Sequence, residues 1–556
     1  MAGNRDPGYA RSPRLHRREF LGVILAGLMA PPRAAGSTVT TRAGNRPNIV
    51  LIMADDMGFS DVGCYGGEVA TPNIDALAAG GLRFTQFYNT ARCCPTRASL
   101  LTGLYPHQAG IGHMTNEEDR RFDYGHPAYR GELNRRCVTL AEALRPAGYH
   151  TWMAGKWHVG TAEGLRPLDR GFERYYGIVR GASNYWKPDP DKLLMDGRTA
   201  IPDPGEGFYT TDAFTDNAIR FIEEQHDEDP FFLYLAYTSP HWPLHAPADI
   251  VARYRGKYRG GWDQLREERL AHQHASGLLE KSVKLTPRDE AVPAWEEVPV
   301  ERREVMDHRM AIYAAQIERM DWNIGRVVET LRRRGQIDNT LILFLSDNGG
   351  CAEGGVFGGG KDAQLGTKEG YFLTYGPGWA NASNTPFRRY KHWVHEGGIS
   401  TPLIAHWPDG IPAERRGSFT RQYGHLIDFM PTFLDLAGGT YPAEYGGNAI
   451  TPVEGKSLVP LLRGQEAPIH DAIFWEHEGN SAVRRGKWKL VSAHRRKGRQ
   501  WELYDIEADR SETENLIEAQ PEIAKELQDL YAAWAERCGV LPWPVKPPSQ
   551  PKADKK

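Results

Sequence analysis

Residues 48–56 read Asn48-Ile49-Val50-Leu51-Ile52-Met53-Ala54-Asp55-Asp56, a continuous apolar run that ends in two carboxylates. A continuous rather than alternating apolar run is typical of a strand buried on both faces, as in a parallel sheet. Three further runs have the same design: 341–346 leads into Asp347-Asn348, 231–236 into Ser239-Pro240-His241, and 149–154 into Gly155-Lys156-Trp157-His158. These runs predict parallel strands that each end in polar side chains.

Helical patterns lie between these runs. Apolar residues recur at helical spacing from Met310 to Leu331, and Thr71-Pro72 begins another helix that carries Ile74 and Leu77. Alternating strands and helices predict an α/β fold with a large, mostly parallel sheet and helices on both faces. Ligands of such sheets bind beyond the carboxyl ends of the strands, so we expect the polar strand ends to meet at one edge.

The chain changes character after these strands. Segment 250–305 is charged, and we expect it to form a surface excursion. The Gly-rich stretch 349–378 predicts a long loop over the site. After residue 465 come short strand-like pieces and a helical pattern from Ile523 to Cys538. We therefore predict a main domain over 46–465 and a small C-terminal α+β domain over 466–545, with one antiparallel sheet and one helix.

Composition excludes several classes of function. The chain has 556 residues and a formal net charge of -3, so no basic excess favours nucleic acid as a partner. Its six cysteines, at 64, 93, 94, 137, 351 and 538, are scattered without metal-type pairs or a dense disulfide framework, and their pairing is left open. Beyond the N-terminal region, no stretch is long and apolar enough to predict a membrane span.

The N-terminal region has the features of an export signal. Arg17-Arg18-Glu19-Phe20-Leu21 precedes a short apolar run that extends to Ala30. The run is too short for a stable bilayer span, and the arginine pair followed by Phe-Leu matches a bacterial twin-arginine signal. We predict such a signal over 1–36 and a periplasmic or secreted location. The alternative is a basic tail without a targeting role.

Four strand-end residues predict a metal site. Asp55, Asp56, Asp347 and Asn348 offer only hard oxygen ligands, which favours calcium or magnesium over zinc. Carboxylates crowded together without a cation would repel one another and take up protons. The alternative is that each Asp caps the helix that follows its strand.

Cationic and imidazole side chains accompany these oxygens. Arg97, Lys156 and Lys391 are candidates to hold an anionic group, because fixed cations stabilise negative charge on a leaving oxygen. His158 and His241 are candidates for proton transfer, since imidazole titrates near neutral pH. A lone lysine is more often a solvated surface residue, and a lone histidine more often structural.

The segment Cys93-Cys94-Pro95-Thr96-Arg97 resembles the signature of the formylglycine-dependent sulfatases. The resemblance extends from about residue 46 to 520 and is greatest to the bacterial arylsulfatases. It implies that Cys93 becomes formylglycine, made by a formylglycine-generating enzyme of the host, and that its hydrate attacks the sulfur of a sulfate ester. Asp55, Asp56, Asp347 and Asn348 would hold one calcium ion.

The resemblance also implies roles for the remaining candidates. Arg97 and Lys156 would hold the aldehyde hydrate and the sulfate, Lys391 and His241 would assist the departing alcohol, and His158 would accept a proton as the aldehyde is regenerated. Cys94 departs from the family, in which Ser, Thr or Ala is commoner at this position. The alternatives left open are a sulfatase specific for sulfated polysaccharides, a phosphonate or phosphate diester hydrolase, and an inactive protein that binds calcium and sulfated glycans.

Overall fold

The computed structural model describes residues 46–115, 123–494 and 498–546. The predicted export signal at 1–36 lies outside these residues. Within them, eleven strands form the main sheet. These are β1 (Asn48–Asp55), β2 (Leu82–Tyr88), β3 (His150–Gly155), β4 (Arg174–Ile178), β5 (Leu194–Asp196), β6 (Thr199–Ala200), β7 (Phe231–Pro240), β8 (Thr340–Ser346), β9 (Ser400–His406), β10 (Ser418–Thr420) and β11 (Gly424–His425).

The main sheet has the strand order β10-β2-β9-β8-β1-β7-β3-β4-β5-β6, with β11 also beside β2. Its central strands β8, β1, β7, β3 and β4 are all parallel, and Ile52 of β1 lies in register with Leu235 of β7 and Phe344 of β8. The strand β9 runs antiparallel to both β8 and β2, and β5 and β6 continue antiparallel from β4. The predicted large, mostly parallel sheet is confirmed.

Helices cover both faces of this sheet. Alternate residues of β1 enter two different apolar cores: Val50 and Ile52 pack on one side, Leu51 and Met53 on the other. This is why the run is apolar throughout. The helices are α1 (Pro72–Ala79), α2 (Cys93–Thr102), α3 (Pro106–Ala109), α4 (Leu140–Leu144), α5 (Thr210–Glu223), α6 (Ala248–Tyr254), α7 (Gly261–Ala275), α8 (Val300–Arg333), α9 (Gly376–Ser383), α10 (Glu396–Ile399), α11 (Phe429–Ala437), α12 (Val459–Leu462) and α13 (Pro521–Cys538).

The charged segment 250–305 is not the surface excursion that we expected. Helix α7 in this segment buries Trp262, Arg266 and Arg269. Arg269 pairs with Asp61 at 2.7 Å and with Glu68 at 2.8 Å. Its charge is therefore neutralised inside the protein rather than by solvent, and the prediction is wrong for this helix.

The C-terminal region contains the predicted small antiparallel sheet. It has the order β14-β15-β16-β17, from β14 (Ile473–His477), β15 (Asn480–Arg485), β16 (Trp488–Ser492) and β17 (Glu502–Asp505). Helix α13 packs Leu527 and Trp534 against this sheet. A separate hairpin joins β12 (Glu444–Tyr445) and β13 (Asn448–Ala449). In the part of the chain that the structure describes, no helix has the length and apolar character needed to cross a bilayer.

Candidate active site

The polar ends of four central strands meet at one edge of the main sheet. Asp55 is the last residue of β1, and Asp347 follows β8 directly. Lys156 follows β3, and His241 follows β7. Because these strands are parallel neighbours, their carboxyl ends lie together. The structure thus brings together the strand-end residues predicted from sequence.

The acidic cluster consists of Asp55, Asp56, Asp347 and Asn348, all of which are buried. The backbone N–H of Asp56 donates to Asp347 Oδ1 at 3.1 Å, and Asn348 Nδ2 donates to Asp56 Oδ1 at 2.7 Å. Asp56 has a φ of 66°, which is uncommon for a residue other than glycine. This conformation turns the chain at the strand end and places successive carboxylates in one cluster.

Two cations contact the first carboxylate of this cluster. Lys156 Nζ is 2.6 Å from Asp55 Oδ2, and Arg97 is 3.5 Å from the same oxygen and 2.9 Å from Asp347 Oδ2. Burial alone would raise the pKa of Asp55, but Lys156, His241 and Arg97 together hold it below its ordinary value. Burial disfavours the ammonium of Lys156, yet Asp55 raises the pKa of that lysine. The Asp55 carboxylate and the Lys156 ammonium are therefore both charged.

Lys391 and His241 contact the second carboxylate. Lys391 Nζ lies 2.7 Å from Asp56 Oδ1 and 3.2 Å from His241 Nε2. His241 Nδ1 donates to the Trp242 carbonyl at 2.7 Å, which leaves Nε2 as the acceptor toward the ammonium. Burial lowers the pKa of His241, whereas Asp56 outweighs burial and raises the pKa of Lys391 well above its usual value. A neutral imidazole and a charged lysine therefore adjoin.

Cys93 is the first residue of helix α2 and is buried. Its sulfur lies 3.9 Å from that of Met114, and a His158 ring nitrogen and the Cys94 sulfur lie within 4.8 Å of it. A hydrogen bond with Cys94 and the charge of Lys156 lower the pKa of the Cys93 thiol well below its ordinary value, against the effect of burial. These surroundings favour the thiolate form of Cys93 over the thiol.

A cavity of about 350 Å³ joins these groups, and we call it the Cys93 cavity. Cys93, Lys156, His158, His241 and Lys391 all line it. The remaining predicted residues, Arg97 and the acidic cluster, are not part of this lining but contact Lys156 or Lys391 or one another. Sequence reasoning missed other residues of the wall, which are Arg92, Met114, Thr115, Arg180, Gly181, Ala182, Lys192, Glu353 and Tyr371.

Two of the missed residues form an ion pair at the cavity wall. Arg92 lies 2.8 Å from Glu353, and Trp242 Nε1 donates to the other oxygen of that carboxylate at 2.8 Å. Burial raises the pKa of Glu353, but Lys391 and Arg92 outweigh it and lower the pKa to about 2. Arg92 directly precedes the Cys93 motif, and Glu353 lies in the predicted Gly-rich loop, so both had a positional signal in the sequence.

Tryptophan side chains could stack on a substrate ring, and those around the site have different locations. Trp157 and Trp379 are fully buried in the apolar cores. Trp242 lines the Cys93 cavity, beside Tyr371 at a ring distance of 5.5 Å. Trp186 lines a second cavity of about 920 Å³, formed by segments 184–190 and 203–208 with Lys368 and Glu369. Of these four tryptophans, Trp242 and Trp186 line a cavity and can contact a molecule bound in it.

The acidic cluster fits a hard divalent cation. Oδ1 of Asp55 and Oδ1 of Asn348 are buried and have no hydrogen-bond partner among the described residues. Burial and the charge of Asp55 raise the pKa of the Asp347 carboxyl well above its usual value, although Arg97 opposes them. Both features show that the cluster has more oxygen ligands than its lysines and arginine satisfy. An ion held by oxygen ligands would complete it.

Comparison with known proteins places the chain in a family. The sulfatase family model matches residues 47–439, and the model described as N-sulphoglucosamine sulphohydrolase, C-terminal, matches residues 388–536. The chain belongs to the sulfatase family and is an enzyme of the class that hydrolyses sulfate esters. It is 35% identical to the arylsulfatase of Klebsiella aerogenes, over 74% of this chain and 91% of that protein.

Two further relatives support the same family. An uncharacterised sulfatase of Schizosaccharomyces pombe is 35% identical, over 90% of this chain and 95% of that protein. The crystal structure of Ps i-CgsB in complex with k-i-k-neocarrahexaose superposes with a TM-score of 0.64 at 26% identity, covering 88% of this chain and 93% of that one. The fold and the family are thus shown along nearly the whole described chain.

Proposed function

We propose that this sulfatase cleaves sulfate monoesters with a formylglycine made from Cys93 and one Ca²⁺ ion held by the acidic cluster. One observation carries the proposal. Cys93 lines the same cavity as Lys156, His158, His241 and Lys391, and two of these residues, Lys156 and Lys391, contact the acidic cluster. A nucleophile, cations for an anion, and proton carriers are the parts that sulfuryl transfer requires.

Residue 93 supplies the nucleophile once a formylglycine-generating enzyme has converted its CH2–SH group to an aldehyde. In that step the C–S bond breaks, the sulfur leaves, and the enzyme supplies the oxygen atom and the two-electron oxidant. The hydrated aldehyde offers a hydroxyl group at the N-terminus of helix α2. Lys156 supports the proposal because its ammonium lies at the Cys93 cavity and is fixed by Asp55 at 2.6 Å. We assign Lys156 and Arg97 to holding the hydrate and the sulfate oxygens by charge.

We assign Lys391 and His241 to protonation of the leaving alcohol. Lys391 is charged and only 3.2 Å from the acceptor nitrogen of His241. It can donate a proton to the departing oxygen, and His241 orients it. His158 can accept a proton, because burial lowers its pKa and its Nδ1 has no partner among the described residues. We assign His158 as the base that regenerates the aldehyde.

Asp55, Asp56, Asp347 and Asn348 are the residues that would hold the ion. Ca²⁺ bound there supplies positive charge that favours both an ionised hydroxyl at residue 93 and the sulfate oxygens. The all-oxygen ligand set supports calcium over zinc. Mg²⁺ prefers a smaller, octahedral site and usually keeps several waters. Metal analysis of the purified protein distinguishes the two.

The second candidate substrate is a sulfated glycan rather than an aryl sulfate. The Cys93 cavity and the second cavity share two wall segments. One segment contributes Ala182 and Lys192 to the Cys93 cavity and Trp186 to the second cavity; the other contributes Tyr371 and Lys368, respectively. An aromatic ring beside lysines suits sugars and their sulfate groups. This wall favours a substrate larger than one phenyl ring. Parallel turnover assays with sulfated oligosaccharides and phenyl sulfates decide between the two.

We also propose that the enzyme is exported through the twin-arginine route after Cys93 has been modified. That route carries folded proteins, and Cys93 is buried in the folded chain, where a modifying enzyme has no access to it. Tryptic mass spectrometry of the exported protein should therefore show an aldehyde at residue 93. An intact thiol there would contradict this order.

The decisive experiment compares Cys93→Ala with Cys94→Ala, a matched control one residue away. Both variants are produced together with a formylglycine-generating enzyme and assayed with 4-nitrophenyl sulfate and a matching phosphate diester. We expect loss of turnover and of the aldehyde only in Cys93→Ala, and a sulfate rate above the diester rate in the parent. An active Cys93→Ala protein, or faster diester cleavage, refutes the proposal.

A further inference from the structure

A second group of metal-ligating side chains lies at the C-terminal sheet. His392, His477 and Glu478 each place one ligand atom within 4.8 Å of the other two. Nδ1 of His392 is 3.6 Å from one Glu478 oxygen, and Nε2 of His477 is 4.0 Å from the other. Ligand atoms around one tetrahedral ion at about 2.1 Å lie roughly 3.4 Å apart, so small side-chain rotations bring the three to bonding positions.

His477 gives this group a reason to bind an ion. The side chain is fully buried, and neither ring nitrogen has a hydrogen-bond partner among the described residues. A buried polar group left unpaired costs about 1–3 kcal/mol. The ring of His392 packs edge-on against that of His477, with ring centroids 5.1 Å apart, so the two imidazoles are direct neighbours. A bound cation would satisfy the unpaired nitrogen.

The carboxylate of this group is held in place by the hairpin between β14 and β15. Glu478 and Gly479 form its two-residue loop, since His477 pairs with Asn480 across the strands. Glu478 has a φ of 49°, at a position where Asn, Asp or Gly is usual. The backbone N–H of Met114 donates to Glu478 Oε1 at 3.2 Å, which fixes the carboxylate facing the imidazoles.

We propose that His392, His477 and Glu478 bind a transition-metal ion of the Zn²⁺ class, separate from the acidic cluster. Two imidazoles and one carboxylate form a ligand set that zinc uses with a fourth position open to water, whereas calcium prefers oxygen alone. The nearby cation Arg92 is already paired with Glu353 at 2.8 Å. Because Met114 contacts Glu478 and lines the Cys93 cavity, the ion fixes one wall of that cavity.

The test is a Zn²⁺ titration of the full chain, saturated with Ca²⁺ and carrying Cys93→Ala to disrupt the thiol pair. We expect one equivalent of zinc by calorimetry, with X-ray absorption showing nitrogen and oxygen ligands at about 2.0–2.1 Å rather than sulfur at about 2.3 Å. His477→Ala and Glu478→Gln should each weaken the affinity at least tenfold. Glu478 is partly exposed, so its variant remains informative if His477→Ala fails to fold.

His150→Ala is the matched control. His150 also lies beside carboxylates, but its two ring nitrogens already contact Glu173 and Asp227 at 3.1 and 3.0 Å. Its removal should leave the zinc affinity unchanged. No saturable binding, sulfur ligation only, or an affinity that survives both His477→Ala and Glu478→Gln overturns the proposal.

Discussion

Replacing Lys391 by methionine removes the ammonium while keeping most of the buried stem. The lost groups are an ion pair at 2.7 Å to Asp56 and a hydrogen bond at 3.2 Å to His241, in a side chain that is nearly inaccessible. Removing one partner of a buried pair costs about 3–5 kcal/mol of stability, which a divalent cation at Asp56 would partly offset. Loss of a general acid costs about 10²- to 10⁴-fold in rate.

The size of the rate loss should depend on the leaving group. A nitrophenolate departs without a proton, whereas an alkoxide needs one, so only poor leaving groups depend on the Lys391 ammonium. We expect kcat/KM of Lys391→Met to fall by about 10²- to 10⁴-fold for alkyl or unsubstituted phenyl sulfates, and by far less for 4-nitrophenyl sulfate. Steady-state kinetics across phenols of graded acidity measure this slope.

Lys489→Met is the matched control for the removal of a buried lysine. Lys489 is fully buried and pairs with Glu396 and Glu512, each at 2.8 Å, in the C-terminal region and outside the Cys93 cavity. It should lose similar stability in chemical unfolding while keeping the parent's dependence on the leaving group. A rate loss in Lys391→Met that is equal for every leaving group would refute the assignment of Lys391 as proton donor.

Three further outcomes are expected. Chelation should lower the Tm of the enzyme, and Asn348→Ala should need at least tenfold more Ca²⁺ to restore it; scanning fluorimetry without any calcium response would contradict the ion site. Burial lowers the pKa of His425 from 6.5 to about 3. Between these two pH values the unfolded state binds a proton that the folded state does not, so the free energy of unfolding decreases as the pH is lowered below 6.5. The loss is about 2 kcal/mol between pH 7 and 5, and His425→Asn should remove it in urea titrations at both pH values. Arg269→Met should cost about 3–5 kcal/mol of unfolding free energy, because Asp61 loses its partner; a change below 1 kcal/mol would be inconsistent.

The centre of the fold could be predicted because burial on both faces leaves a direct mark on sequence. Ile49 to Met53 are apolar without a break, and the structure places alternate residues in two cores. Strand direction leaves no such mark. The residues of β9, Ser400–His406, are as buried as those of β1, yet this strand runs antiparallel to β8. Only the path of the connecting chain determines that direction.

The prediction failed where charge was taken as a sign of exposure. Arg266 and Arg269 lie in a charged segment but face the interior, where Thr286, Asp61 and Glu68 bind them. These partners lie about 20 or 200 positions away in the chain, so no local pattern identifies them. The same limit explains why Arg180 and Lys192 were missed as cavity residues. Their places depend on loops whose path the strand pattern does not determine.

Lys156 and Lys391 contact both the acidic cluster and the Cys93 cavity, so they connect the binding of an ion with the binding of a substrate. Lys156 lies 2.6 Å from Asp55, and Lys391 lies 2.7 Å from Asp56. Both ammonium groups also line the Cys93 cavity, where an anion would compete for them. A divalent cation would take over the carboxylates, and the lysines could then turn their charge toward a sulfate. Because the carboxylates cannot satisfy a cation and both lysines fully at once, ion binding should raise the affinity for anions in the cavity.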